Sequence, residues 1–291
     1  MIYLLLIVPI AATLIFCFAA IMANFAAFKP PKINGQPTLQ STDGQKVVFK
    51  SGKNRLTGFI ANEEGKRGLI VISHGMGTSV CYHMPEIRHF TDEGYKVFAF
   101  EYGGYGESTG KFYGFPQAVT DLKNAIEFID DGTLPVILFG HSMGGYAACT
   151  VPSLLNRPVK AIVAYAPFFS SGEAIKETAR KIPKFGKLFG FLVSFAQFLI
   201  FGTRRKLNAV DGLLAANTPS LILQGNNDEE VTCDGCSLYA RRSSLENTNV
   251  RFEQIENDGG NGHMTILRKN GSNRVNDETM KIVDLFLKNL T

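Results

Sequence analysis

The strongest constraint in this chain is a series of short apolar runs at residues 69–73, 97–101, 136–140, 161–165, 221–224 and 251–255. Each has strand length, and most are apolar at consecutive positions rather than at alternate ones. A strand that is greasy on both faces has to be covered on both faces, which is the pattern of a parallel sheet with helices above and below. The segments between the runs carry helical spacing. Within 115–130, for example, Ala118, Leu122, Ala125, Ile126 and Ile129 fall on one face. Strand alternating with helix predicts an α/β domain with right-handed crossovers. Two further runs, 46–50 and 56–62, flank Ser51-Gly52-Lys53-Asn54 and predict a leading β-hairpin. No internal repeat interrupts this order.

One segment does break the alternation. No strand is expected between Ala166 and Thr218, only a helical stretch whose middle, residues 188–201, is apolar apart from Ser194 and Gln197 and holds five of the 23 Phe. Inserted between two strands, it reads as a helical cap over the strand ends, at about 168–217. Three roles suit it: a space-filling helix, a lid lining an apolar acyl site, or an element that dips into a membrane between Lys184, Lys187 and Arg204-Arg205-Lys206.

Residues 1–28 contain no charged side chain. About 20 residues as helix cross a bilayer's hydrocarbon, so this stretch is long enough, with Pro9 kinking rather than abolishing it. A cleaved signal would show a basic start and an apolar run of roughly 7–15 residues. The absence of both favours an uncleaved single-pass anchor at 1–28, with secretion after signal cleavage as the alternative. Lys29, Lys32, Lys46, Lys50, Lys53 and Arg55 follow the span, so the positive-inside rule favours a cytoplasmic body. Pro30, Pro31, Asn34, Gly35 and Pro37 make 29–37 a non-helical linker before a body at 38–291.

Composition closes off other classes. With 30 Lys+Arg against 26 Asp+Glu and no concentrated basic run, nothing points to nucleic acid. Five Cys in this length are no disulfide scaffold. Cys233 and Cys236 form a C-x2-C, but Cys17, Cys81 and Cys149 are isolated. With no second pair to complete a zinc site, the pair reads as structural, at the start of a helix following Asp228. Neither a metal nor a cofactor is expected. Oligomeric state is left open.

Chemistry enters at Gly140-His141-Ser142-Met143-Gly144-Gly145. The run 136–140 feeds it, and a helix is expected over 146–155 before Asn156-Arg157-Pro158. This strand–turn–helix setting gives G-x-S-x-G its meaning. A tight turn forces Ser142 into a strained conformation and presents its Oγ at the positive end of the helix. The flanking glycines are needed because a Cβ there would meet backbone.

These residues, with Ser73-His74-Gly75-Met76-Gly77, the stretch from Glu101 to Ser108 (Glu-Tyr-Gly-Gly-Tyr-Gly-Glu-Ser), Gln224-Gly225-Asn226-Asn227-Asp228-Glu229-Glu230-Val231 and Gly262-His263, run in one recognisable order. The chain resembles the α/β-hydrolases of the group containing monoacylglycerol lipases, lysophospholipases and serine aminopeptidases. That resemblance spans 73–263 and implies an α/β-hydrolase fold, with a mostly parallel central sheet and helices on both faces; to it the residues themselves add the helical cap and the N-terminal transmembrane helix. Glu101 and Gly103 depart from it, standing where relatives often carry Asp and Arg.

A serine needs a base, and the base an orienting acid. Of the five His, His74 falls in the loop resembling the oxyanion loop, His141 within the elbow, and His83 and His89 in an expected helix. His263, in the Gly-rich loop 258–263, lies where the resemblance places the base. Asp228, just past a strand end, lies where it places the acid. Glu229, Glu230 and Asp234 read as a solvated acidic edge. An oxyanion needs two donors. The N–H of Met143 follows the nucleophile, and the resemblance to His-Gly-x-Gly points to the N–H of Met76.

The expected activity is therefore a serine hydrolase cleaving carboxylic esters with apolar acyl chains, as in a lipase or lysophospholipase, through an acyl-enzyme. A serine aminopeptidase is the alternative, for which Glu173 and Glu177 are the available amine-holding carboxylates. A non-catalytic binding protein on the same fold is a third reading.

Overall fold

The computed structural model describes residues 2–31, 44–256, 261–269 and 272–290, with side chains from residue 8 onward. The expected linker beyond position 31 and Asp258, Gly259 and Gly260 lie outside the described residues. The chain begins with α1 (Ile2–Ala27), followed by the hairpin β1 (Gln45–Ser51) and β2 (Asn54–Ala61). The alternating order then runs β3 (Leu69–Ser73), α2 (Met84–Asp92), β4 (Lys96–Phe100), α3 (Phe115–Ile129), β5 (Val136–His141), α4 (Met143–Thr150) and β6 (Ala161–Tyr165). Three helices precede the next strand: α5 (Ser171–Arg180), α6 (Gly186–Phe201) and α7 (Ala209–Ala216). The chain closes with β7 (Ser220–Gly225), β8 (Val250–Ile255), α8 (Gly262–Thr265) and α9 (Asp277–Lys288).

The eight strands form one sheet in the order β1-β2-β4-β3-β5-β6-β7-β8. Only β2 runs against its neighbours; from β4 to β8 every pairing is parallel. The period-2 geometry of a strand explains why the runs are apolar throughout. Val71, Phe98, Leu138, Ile162 and Ile222 face a layer containing α3, α4 and α7. Their neighbours Ile70, Ile72, Val97, Phe139, Val163 and Leu221 face α2 and α9. Two expected helices come out differently. The helix after Ser142 starts at once, at Met143, and tightens into a 3-10 turn over Val151–Leu154. Between Asp228 and Cys236, all of them described residues, no helix begins; the next helical segment is a 3-10 stretch, Tyr239–Leu245. Gly235 and the carboxylate that it accommodates, described below, hold that region as turns instead.

The apolar N-terminal helix is not detached from the body. Ala20, Asn24 and Phe28 are buried, and the Phe28 ring packs edge-on against Phe115 with centroids 5.0 Å apart.

Candidate active site

β5 delivers Ser142 into a conformation that L-residues rarely occupy, with φ 53° and ψ −115°. Such a residue costs on the order of 1–3 kcal/mol and persists only where its surroundings over-determine it. Here the Ser142 N–H donates to the Tyr165 carbonyl on β6 at 2.8 Å, and its carbonyl accepts from Tyr146 N–H at 2.8 Å. The glycines are compulsory. A Cβ on Gly140 would lie 2.3 Å from the Gly144 carbonyl oxygen, and one on Gly144 only 1.9 Å from the Ser73 carbonyl oxygen. α4 can therefore approach the β3 end closely enough to set Met143 and the 74–77 loop side by side.

That loop presses on the elbow. A Cβ at Gly75 would stand 3.0 Å from His141 Nδ1 and 3.6 Å from Ser142 Cβ. Gly77 follows with φ 84°, turning the chain immediately after Met76. The loop is braced from behind: Glu101 Oε1 accepts from Val80 N–H at 2.9 Å, and Glu101 Oε2 lies 3.2 Å from His74 Nε2. The first departure from the family pattern, Glu101, is thus a strut between β4 and the 74–77 loop. At the second, Gly103, a Cβ would come within 2.6 Å of Asn54 Nδ2 and 2.7 Å of Gln117 Nε2, so a longer side chain would have to displace those two amides.

On the other side of the elbow, Asp228 and His263 are both buried, with Asp228 Oδ2 2.8 Å from His263 Nδ1. Oδ1 of Asp228 accepts from the N–H groups of Glu230 (2.9 Å) and Val231 (2.8 Å), and Oδ2 also accepts from Gln224 Nε2 (3.0 Å). Both oxygens act as acceptors, so His263 Nδ1 carries the hydrogen that faces them. His263 does not sit in an open loop. It occupies the single helical turn α8, where its N–H donates to Asn261 Oδ1 at 3.0 Å. A Cβ on Gly225 would lie 2.5 Å from the Gly262 carbonyl oxygen, so the closeness of β7 to this turn depends on glycine there.

His141 joins the two halves. Its Nε2–H donates to the His263 carbonyl at 2.9 Å, and the two rings lie 4.7 Å apart between centroids. Burial, with the neighbouring His263 as a secondary cause, holds the His141 imidazole well below its ordinary range, so it stays neutral. The residue immediately before Ser142 thereby grips the main chain of the residue expected to be its base. Glu229, Glu230 and Asp234 are exposed, as expected of an acidic edge, although Glu230 Oε2 comes to 3.7 Å from His263 Nε2.

Several supporting residues carry no sequence signal of their own. Glu177, on α5, is buried and accepts from the N–H groups of Thr232 (3.0 Å) and Cys236. It thus ties the segment between β6 and β7 to the turns that follow Asp228. Gly235 makes way for it, since a Cβ there would lie 2.1 Å from Glu177 Oε2. Glu173 pairs with Lys176 at 2.9 Å. Cys233 donates its thiol to the Gly225 carbonyl at 3.1 Å, and burial pushes both Cys233 and Cys236 up from the usual thiol range. The two thiols are not bonded to each other. Among the described residues no group of three or more His, Cys, Asp and Glu is placed to hold a metal.

Comparison with known proteins agrees with this fold. Residues 64–205 match the family model described as serine aminopeptidase, S33. The lysophosphatidylserine lipase ABHD12 of Xenopus tropicalis is 29% identical over 217 residues, which cover 69% of this chain and 54% of that protein. Human protein ABHD12B is 29% identical over 191 residues, 59% of this chain and 49% of that one. The chain spans about half the length of the curated relatives it matches. Among solved structures, the Pyrococcus furiosus esterase Pf2001 superposes with a TM-score of 0.66 at 22% identity, covering 89% of this chain and 96% of its own. A parallel sheet led by an antiparallel hairpin, a strained serine between β5 and α4, and these matches to sequence and fold show that the chain has the α/β-hydrolase fold.

Proposed function

We propose that this chain is a serine hydrolase of carboxylic esters, with Ser142 as nucleophile, His263 as base and Asp228 as the orienting acid. One observation carries the reading: a buried Asp228–His263 pair whose main chain is held by His141, next in sequence to a serine at φ 53°. Ser142 Oγ attacks the ester carbonyl while His263 Nε2 takes its proton. The oxyanion that forms lies toward the N–H groups of Met143 and Met76, each worth about 3–4 kcal/mol in sites of this kind. His263 then returns the proton to the leaving alcohol, and water, activated by the same imidazole, releases the acid. Asp228 holds the tautomer and steadies the imidazolium without taking the proton.

Apolar acyl chains are favoured by reading the Phe-rich segment between β6 and β7 as a cap, and by an uncharged apolar α1 that is long enough to cross a membrane. The names of the relatives, a lysophosphatidylserine lipase and an esterase, support an ester of this kind. The peptidase reading is weaker here: Glu177 spends both oxygens on backbone N–H groups and is not free for a substrate amine, which leaves only Glu173, facing Lys176 at 2.9 Å. Labelling with a fluorophosphonate probe tests the proposal. We expect an adduct on Ser142 that S142A abolishes, and faster turnover of p-nitrophenyl esters than of aminoacyl anilides. A folded protein that takes no label would be a binding protein on this fold, and the reverse substrate order would make it a peptidase.

A further inference from the structure

Among the described residues, the exposed apolar surface is concentrated on two neighbouring helices. α1 lies against α6, with the Phe16 ring 5.0 Å from Phe195 and 6.1 Å from Phe191. Their contact is pinned by a buried polar clamp. Gln197 Nε2 donates to Asn24 Oδ1 (2.6 Å) and to the Tyr113 carbonyl (2.7 Å), and Asn24 Nδ2 donates to the same carbonyl (2.9 Å). A Cβ on Gly114 would fall 2.4 Å from the Gln197 amide, so that position is shaped around the clamp. Away from this contact both helices present large apolar side chains to the outside. Leu14 and Phe18 on α1, and Phe185, Leu188, Phe191 and Phe198 at and along α6, are between 50% and 70% exposed. Exposed apolar residues elsewhere on the body, such as Val48, Phe128 and Leu285, belong to separate elements. A continuous face of this kind on two adjacent helices is not what a water-exposed surface carries.

The charges within and flanking α6 in sequence have a single sign. From Lys181 to Lys206 there is no Asp or Glu, while Lys181, Lys184 and Lys187 stand at one end and Arg204, Arg205 and Lys206 at the other. Arg205 lies over the Phe198 ring, 5.5 Å from its centroid, with its stem along the apolar surface. An apolar helix with cations and no carboxylate at either end of its sequence, packed against an uncharged helix long enough to cross a bilayer, matches a layer of acyl chains beneath anionic headgroups. We propose that α6 itself is seated in the acyl region of an anionic bilayer, beside α1, so that the cap as well as the anchor is lipid-embedded. This deepens the reading of α1 as a membrane anchor and of the β6–β7 segment as a cap. It does not depend on Ser142 being catalytic, and it would let a lipid ester reach the cap without crossing water.

The chain has no Trp, so one substitution installs a unique reporter. The full-length protein carrying F191W or F198W, reconstituted in vesicles of phosphatidylcholine and phosphatidylserine, should show blue-shifted emission. It should also be quenched at least about two-fold when the acyl chains are brominated. F128W, on α3, should stay unquenched in the same vesicles. Emission from F191W and F198W that is unquenched by brominated chains overturns the proposal; if it is blue-shifted as well, the face is covered by protein, such as a second copy of this chain. Because the readout is optical, it stands apart from any failure of the hydrolase assignment.

Discussion

At Ser142 the backbone has been bent into a shape that side chains resist, and the cost is tolerated because two glycines remove the atoms that would collide. The pattern G-x-S-x-G shows that such a turn is wanted, but it does not show that Gly144 clears the carbonyl of Ser73, more than 70 positions away in sequence. G144A should therefore destabilise the protein by about 1–3 kcal/mol through overpacking, read as a lowered melting temperature, and should lower activity with it. Asp228 gives a sharper test. D228N keeps the shape but offers an amide N–H where a carboxylate oxygen accepted from His263, so the imidazole adopts the wrong tautomer. Turnover should fall by about 10⁴ with KM little changed. A loss under ten-fold would remove Asp228 from its assigned role. His141 was legible only as an elbow residue; its grip on the main chain of His263 depends on β5 and α8 meeting.

Among the elements, α5 ties the β6–β7 segment to the turns that follow β7. Its N-terminus is set by Ser170, whose hydroxyl accepts from Glu173 N–H at 3.3 Å. Two turns later Glu177 reaches across to the turns beyond β7. Burial opposes its charge, but the N–H groups of Thr232 and Cys236 outweigh that and hold its carboxyl below the usual range. The stability that it contributes is thus present at neutral pH and is lost as pH falls through and below the ordinary carboxylate range. E177A leaves two N–H groups without their acceptor and should cost about 1–3 kcal/mol. Because Asp228 sits on the same turns, kcat should drop as well, while E177Q, which keeps one acceptor oxygen, should recover part of both. Thermal melting and ester turnover, measured side by side, check this. Nothing in the local sequence marks Glu177 as a tie between cap and site. It lies on an ordinary amphipathic helix, and its partners follow more than 50 residues later.

For the molecule as a whole, Asp121 joins three distant pieces. Its carboxyl accepts from Ser51 on β1, from Gly103 N–H after β4 (3.1 Å) and from Gln117 on its own helix (3.4 Å). Burial outweighs these donors and pushes it up to about 6. The folded state therefore holds this proton more tightly than the unfolded chain, so the contribution of Asp121 to stability is full below about pH 4. It is lost as pH rises through 6. The wild type should gain stability relative to D121N between pH 7 and pH 5 in thermal unfolding, and a pH-independent difference would contradict the assignment.

What the sequence determined by itself is everything that depends on local or periodic chemistry. The five inner strands β3 to β7 are doubly apolar because both faces are covered, the hairpin follows from its Gly52 turn, and the elbow and the charge-free first helix follow from composition within a few tens of residues. The tertiary structure alone decided which groups converge. The placement of Asn24 beneath Gln197, Glu177 beneath Thr232 and His141 beneath the His263 carbonyl comes from how helices pack on a twisted sheet. Residues far apart in the chain meet there through hydrogen bonds with no period and no spacing to read.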